Sequence, residues 1–201
     1  MAQHVIGRER NQRVSYRQLI RRAVVHAVLL QRSTLRGYDP AMSRAMFQVL
    51  VISYRIDANG QPQYLLFKRA DLDVWQWITG GGENQETPEQ TARREALEEA
   101  GIPEDTNLIR LDSMASIPAI HFADHHLWET DVYVIPEYSF GIEVKGEEVC
   151  LSGEHSECAW LDYETARNRL EWDSNKTALW ELHSRLSARH AEPRLVGVGS
   201  T

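Results

Sequence analysis

Between residues 46 and 189 the apolar positions switch repeatedly between a strand-like and a helix-like spacing. MFQVLVISYRI (46–56) and QYLLFKRA (63–70) are strand-like runs separated by DANGQP, whose Asn-Gly predicts a tight turn between paired strands. The short segment WQWIT (75–79) leads into three consecutive glycines, and the spacing that follows predicts a helix over 88–100. NLIRLDSMASIPA (107–119), HLWETDVYVI (126–135) and ECAWLD (157–162) predict three further strands. Two helices, over 162–170 and 174–189, close the pattern, the second periodic through Ala178, Leu179, Leu182 and Leu186. Strands and helices mix with neither a regular βαβ repeat nor an internal sequence repeat, which predicts an α/β sandwich built on a mixed sheet.

Residues 1–41 stand apart from this pattern. They hold eight arginines against Glu9 and Asp39, a surplus of six positive charges in a chain whose net charge is −7, so the remainder is strongly acidic. Three readings of this extension stay open: a basic arm, an organelle-type targeting segment, or upstream sequence preceding a true start at Met42 or Met46. The expected organisation is an extension over 1–41, one domain over 42–190 and a tail over 191–201. An acidic domain is a poor surface for duplex nucleic acid, where phosphate neutralisation dominates affinity. No apolar run approaches the roughly 20 residues of a membrane span, and no secretory leader is expected. With Cys150 and Cys158 as its two cysteines, the chain lacks a disulfide framework, and a soluble cytoplasmic protein is expected. A homodimer is left open.

The helix over 88–100 carries the chemistry. Thr87 is placed to cap it, Pro88 to start it, Gln90 to complete a capping box, and Gly101 with Pro103 to stop it. At about 100° per residue, Glu95, Glu98 and Glu99 share one arc while Ala92, Ala96, Leu97 and Ala100 form the packing side. Like charges at these spacings destabilise a helix by roughly 0.2–0.5 kcal/mol per pair, and the helix dipole disfavours anions near its C-terminal end. A solvated acidic face is the plain alternative. A hard divalent cation bound by oxygen ligands would resolve the repulsion, and Mg²⁺, with Mn²⁺ as a substitute, is the expected occupant.

The spacing decides between these readings. Gly80, Glu86, Arg94, Glu95, Ala96, Glu98, Glu99, Gly101 and Ile102 fit G-x5-E-x7-R-E-U-x-E-E-x-G-U, U being apolar. A chance match in a chain of this length has a probability on the order of 10⁻⁷. The stretch resembles the complete Nudix box. That resemblance implies an α/β/α sandwich with a mixed sheet, the box forming a loop–helix–loop, and hydrolysis of a phosphoric anhydride. It implies Glu95, Glu98 and Glu99 as metal ligands with the Gly80 carbonyl, and Arg94 and Glu86 as the groups that orient them.

Outside the box, Trp75, Gln76, Thr79 and Gly80 resemble the W-Q-x-x-T-G of bacterial dihydroneopterin triphosphate pyrophosphatases. EHSECAWLD and EWDSNKTALWEL resemble that group's E-H-x-x-x-x-W-L-D and W-S-N-R segments, the latter with an extra Asp. Relatives acting as dATP pyrophosphohydrolases look similar too. Lys68 is either a phosphate contact or a solvated edge charge; at most one of Lys68 and Arg69 faces the site. Thr79 bonds substrate or satisfies backbone, and Trp75 stacks a ring or belongs to the core. Asn175 and Lys176 are candidates to close over the substrate. Glu129 is a further metal ligand or half of a cross-strand ion pair, and Glu154 lies in a loop before a strand, where the superfamily it resembles often places an additional catalytic carboxylate. His121, His125 and His126 have no cysteine or second cluster beside them that would make a zinc site.

The expected function is Mg²⁺-dependent cleavage of a nucleoside or pterin triphosphate to a monophosphate and pyrophosphate. Two alternatives remain: a dinucleoside polyphosphate hydrolase, and a non-catalytic Nudix-fold module that binds a ligand.

Overall fold

The computed structural model describes residues 44–191, apart from 72, 129–130 and 147–148. The basic extension and Glu129 lie outside the described residues. Strand β1 (Arg44–Ile56) is the axis of a mixed sheet. Its far half pairs antiparallel with β2 (Pro62–Arg69) through Ser53–Ile56, and its near half pairs with β4 (Ile78–Glu83) through Gln48–Val51. The short β3 (Trp75–Gln76) pairs with Phe67 and Lys68 of β2. The sheet therefore forks: β1 and β2 pair at one end and diverge, and residues 75–83 fill the gap with a partner on each side. The turn at the closed end is the expected one. Asp57 Oδ1 accepts from the Asn59 and Gln61 amides at 2.9 and 2.8 Å, and Gly60 takes a φ of 77°.

On the other edge of β1 lies β6 (Val134–Glu143), parallel, then β5 (Leu108–Pro118), antiparallel to β6; β7 (His155–Leu161) pairs with β2. Alternation along the strands makes two cores. On one face Val49, Val51, Leu65, Phe67, Ile78 and Phe140 pack against Ala92, Ala96 and Ala100 of helix α1 (Pro88–Ala100). On the other, Leu50, Ile52, Tyr54, Tyr64 and Leu66 pack with helix α2 (Tyr163–Arg169) and with Ala178, Leu179, Leu182 and Leu186 of helix α3 (Asp173–Ala191). The result is the expected α/β/α sandwich. Among the described residues no helix is long and apolar enough to cross a membrane.

Two expectations change. The strand expected over 126–135 starts at Val134, and two 3-10 turns, Ala119–His121 and Ala123–Leu127, lie upstream of it. Pro136 and Gly141 had concealed the true strand. Pro136 is tolerated because the β1 side of β6 begins its ladder only at Glu137, so no partner there needs the missing N–H. The three glycines of the box belong to β4 rather than to a loop, which is confined to residues 84–87.

Candidate active site

Helix α1 is fixed by local chemistry at both ends. Thr87 Oγ1 accepts from the Gln90 amide at 3.3 Å and Gln90 Oε1 from the Thr87 amide at 2.8 Å, closing the capping box. At the far end Gly101 adopts φ 67°, and its N–H together with that of Ile102 bonds the carbonyls of Leu97 and Ala96. The buried arc of the helix is not the one the spacing predicts. Leu97 is 43% exposed, whereas Glu99 is buried with Thr91, Ala92, Ala96 and Ala100. Glu99 lies about 20° from Ala92 around the helix, inside the packed arc, while Leu97 falls at its outer limit. Glu99 is therefore not part of a solvated face, while Glu98 stays exposed.

Arg94 organises one side of the cluster. Its Nε and Nη2 meet Glu86 Oε1 and Oε2 at 2.9 and 3.1 Å, Nη1 meets Glu95 Oε1 at 2.9 Å, and Nη2 also donates to the Gly81 carbonyl at 2.9 Å. Glu98 Oε2 lies 3.5 Å from the same Nη1. Glu86 additionally accepts from the Glu83 amide and the Thr91 hydroxyl. Burial opposes the charge of Glu86, but Arg94 and these bonds hold it below the usual carboxylate range. Glu95 goes the other way: burial pushes its carboxyl up to about 8 despite Arg94, with Glu99 and Glu98 adding repulsion.

Glu99 forms the second side. Burial raises it well above the ordinary value, and the charge of Glu154 adds to that, while the Thr79 backbone N–H and the charge of Arg69 oppose it. Its Oε2 lies 2.6 Å from His155 Nε2. Burial lowers the His155 imidazole to about 4. In the sequence, the Glu-His pair directly before a strand is the one local signal of His155, and it assigns the residue no role.

The donor set fits a divalent cation. A Cβ built on Gly80 would fall 1.9 Å from Glu95 Oε1, so the carboxylate rests on a bare Cα and a side chain would fill the space it uses. Hard carboxylate oxygens from Glu95, Glu98 and Glu99 meet the preference of Mg²⁺. In the arrangement described, Glu95 turns to Arg94 and Glu99 to His155, and no three acidic or histidine side chains among the described residues converge on one point.

The remaining candidates are spread over both faces. Glu154 is exposed in the loop before β7, its carbonyl accepting from the Ala70 amide at 2.8 Å and its charge acting on Glu99. Lys68 points to the α3 side, held by Asp73 and Glu157 at 3.1 Å each. Its neighbour Arg69 faces the carboxylates instead, in a two-point pair with Asp71. Trp75 packs against the α3-side core with the Arg169 guanidinium 4.7 Å from its ring centroid. Thr79 is half-buried, opposite Leu50. Asn175 is buried, its Oδ1 without a hydrogen-bond partner among the described residues. Lys176, next to it on the first turn of α3, contacts Asp173 at 3.4 Å. Its cleft is shared with Tyr163, Arg167 and Trp180. The structure thus brings together Gly80, Glu86, Arg94, Glu95, Glu98, Glu99 and Glu154, and sets Lys68, Trp75, Asn175 and Lys176 on the other face. His125 Nδ1 lies 2.7 Å from the Phe122 carbonyl, in keeping with a turn residue.

Comparison with known proteins agrees with this fold. The NUDIX domain family matches residues 46–180. A dihydroneopterin triphosphate diphosphatase of Haemophilus influenzae is 30% identical over 150 residues, 74% of this chain and 94% of that protein. A NUDIX-hydrolase crystal structure from Listeria monocytogenes is 45% identical with a TM-score of 0.63, covering 71% of this chain and 95% of its own. The dihydroneopterin triphosphate pyrophosphohydrolase of E. coli is 25% identical with a TM-score of 0.58, covering 71% and 97%. The chain belongs to the NUDIX domain family and is a hydrolase of phosphoric anhydrides.

Proposed function

We propose that the protein is a Mg²⁺-dependent pyrophosphohydrolase that converts a nucleoside or pterin triphosphate to the monophosphate and pyrophosphate. The observation that carries this reading is the burial of Glu99 within the packed face of α1, with Glu95 beside it half-buried against the bare Cα of Gly80. A merely acidic surface helix has no reason to desolvate two carboxylates. The likeness to two proteins named for dihydroneopterin triphosphate supports the head-group class.

Glu95, Glu98 and Glu99 with the Gly80 carbonyl would hold the metal. When bound, the ion screens the polyphosphate and makes an attacking water more acidic. Arg94, gripping Glu86 and the Gly81 carbonyl, fixes the rotamer of Glu95. Glu98 and Glu154, the carboxylates at the exposed rim, are assigned the proton of the attacking water; the bond broken is the phosphoric anhydride, and pyrophosphate leaves. Lys68, Trp75, Asn175 and Lys176 lie on the face of the sheet away from these carboxylates and are assigned no contact with the phosphates held there.

Product analysis with Mg²⁺ on dihydroneopterin triphosphate, dATP, 8-oxo-dGTP and diadenosine polyphosphates tests the assignment. Pyrophosphate plus a monophosphate, with a triphosphate at least about tenfold preferred in kcat/KM, is the expected result. A dinucleoside polyphosphate as best substrate would overturn the substrate class, and no turnover of any would overturn the reaction.

A further inference from the structure

We propose that His155 is a positioning residue for the metal site, fixing one oxygen of Glu99 so that the carboxylate presents its remaining lone pairs to the cation. This rests on the reading of Glu99 as a metal ligand. The contact is built from several parts. In β7 the register along β2 is regular from Leu161 opposite Tyr64 to Glu157 opposite Lys68, and then slips by one residue, so that His155 stands opposite Arg69. A regular ladder would place Ser156 there and turn His155 to the other face. The bulge re-aims the imidazole toward α1, as bulges near functional sites do.

The ring is then locked. It packs 5.0 Å from the Phe67 ring centroid, and both partners of the 2.6 Å contact are almost completely buried, with side-chain exposures of 1% for His155 and 6% for Glu99. The loop that delivers His155 is stitched to the end of the same helix. The Cys150 amide donates to the Ala100 carbonyl at 3.2 Å and the Ser152 amide to the Glu99 carbonyl at 3.1 Å. Glu99 thus has its backbone and its side chain tied to one segment. His155 Nδ1 is buried without a hydrogen-bond partner among the described residues. A buried ring lone pair is tolerated better than a buried orphan N–H. With Nδ1 facing no acceptor among the described residues, an N–H of the ring is satisfied at Nε2, directed at Glu99.

The test is Mn²⁺ binding by the full-length protein, followed from the electron paramagnetic resonance signal of the free ion, with thermal melts in EDTA to establish folding. His155→Met keeps the packing on Phe67 and removes the donor; His155→Gln keeps a donor in place of Nε2. The expected result is a 10–100-fold loss of Mn²⁺ affinity in His155→Met, most of it restored in His155→Gln, with KM for the triphosphate unchanged at saturating metal. Wild-type affinity in His155→Met, beside a weakened Glu99→Gln, overturns the proposal and leaves the metal site standing. Equal losses in the Met and Gln variants overturn it too. Wild-type affinity in Glu99→Gln overturns the metal-ligand reading, and this proposal with it.

Discussion

Arg94 grips Glu86 at two points, Nε to Oε1 at 2.9 Å and Nη2 to Oε2 at 3.1 Å, across the loop that joins the glycine strand to the box helix. The planar guanidinium spans both oxygens while its Nη1 holds Glu95. A lysine has one charged centre and cannot hold both partners. Arg94→Lys is expected to lower kcat by roughly 10–100-fold through loss of ligand orientation, with the circular dichroism of the wild type retained. Wild-type kcat in this variant would remove Arg94 from the site.

Gly80 is the second lever. Its missing side chain is the space occupied by the Glu95 carboxylate, so Gly80→Ala must drive Glu95 away. Displacement of a catalytic group by an ångström costs on the order of 10²-fold in rate. The control is Gly153→Ala, where an added Cβ meets nothing within 4 Å and φ is not left-handed. Steady-state kinetics should separate the two, the first losing activity and the second retaining it.

Glu98→Gln and Glu99→Gln are expected to lower kcat on the order of 10³-fold, about 4 kcal/mol of activation free energy. A ligand that binds only the folded state raises its stability. Mg²⁺ added to metal-stripped wild type should therefore raise Tm, and the rise should shrink in both variants. Near-wild-type turnover by both at saturating Mg²⁺ would count against the metal site.

A buried carboxyl away from the box gives a pH test. Glu137 on β6 is buried, accepts a hydrogen bond from Gln48 Nε2 at 2.8 Å, and is raised above the ordinary carboxylate value by burial, with Gln48 opposing. A raised folded-state pKa means the native state holds the proton more tightly than the unfolded chain. Its stabilisation is full below the unfolded glutamate value and is lost as pH rises through the folded one. Glu137→Gln keeps an acceptor for Gln48 and removes the titration. Denaturant melts should show little difference between variant and wild type at pH 4 and a growing advantage for the variant toward pH 7. A difference independent of pH would mean that Glu137 does not titrate in this range.

The box helix was legible because its limits are set by neighbours in sequence: Thr87, Pro88, Gln90 and Gly101 act within one turn of themselves. The paired strands around Asn59-Gly60 and the apolar seam of α3 were legible for the same reason. What the spacing could not settle is which residues at the edge of an arc face the sheet. Leu97 and Glu99 exchanged expected places, the buried Glu99 meeting His155 Nε2, a partner that comes from a distant strand. The role of His155 depends on a one-residue slip between β2 and β7, and the Gln48–Glu137 contact on the parallel pairing of strands 89 positions apart. Neither has a local signature. The choice of Arg69 over Lys68 as the residue facing the box follows from the parity of β2, which only the finished sheet defines.

The forked sheet sets how the enzyme fails. Residues 75–83 are tied to the sheet at two points, Trp75–Gln76 on β2 and Ile78–Glu83 on β1, so the strand on which Glu95 rests cannot peel away without breaking its ladder to β1. Segments of this kind exchange their amide hydrogens only through the largest openings of a domain. Loss of activity on heating should then coincide with loss of the whole fold, without an earlier stage in which the site alone has come apart. The floor of the active site is as durable as the core beneath it.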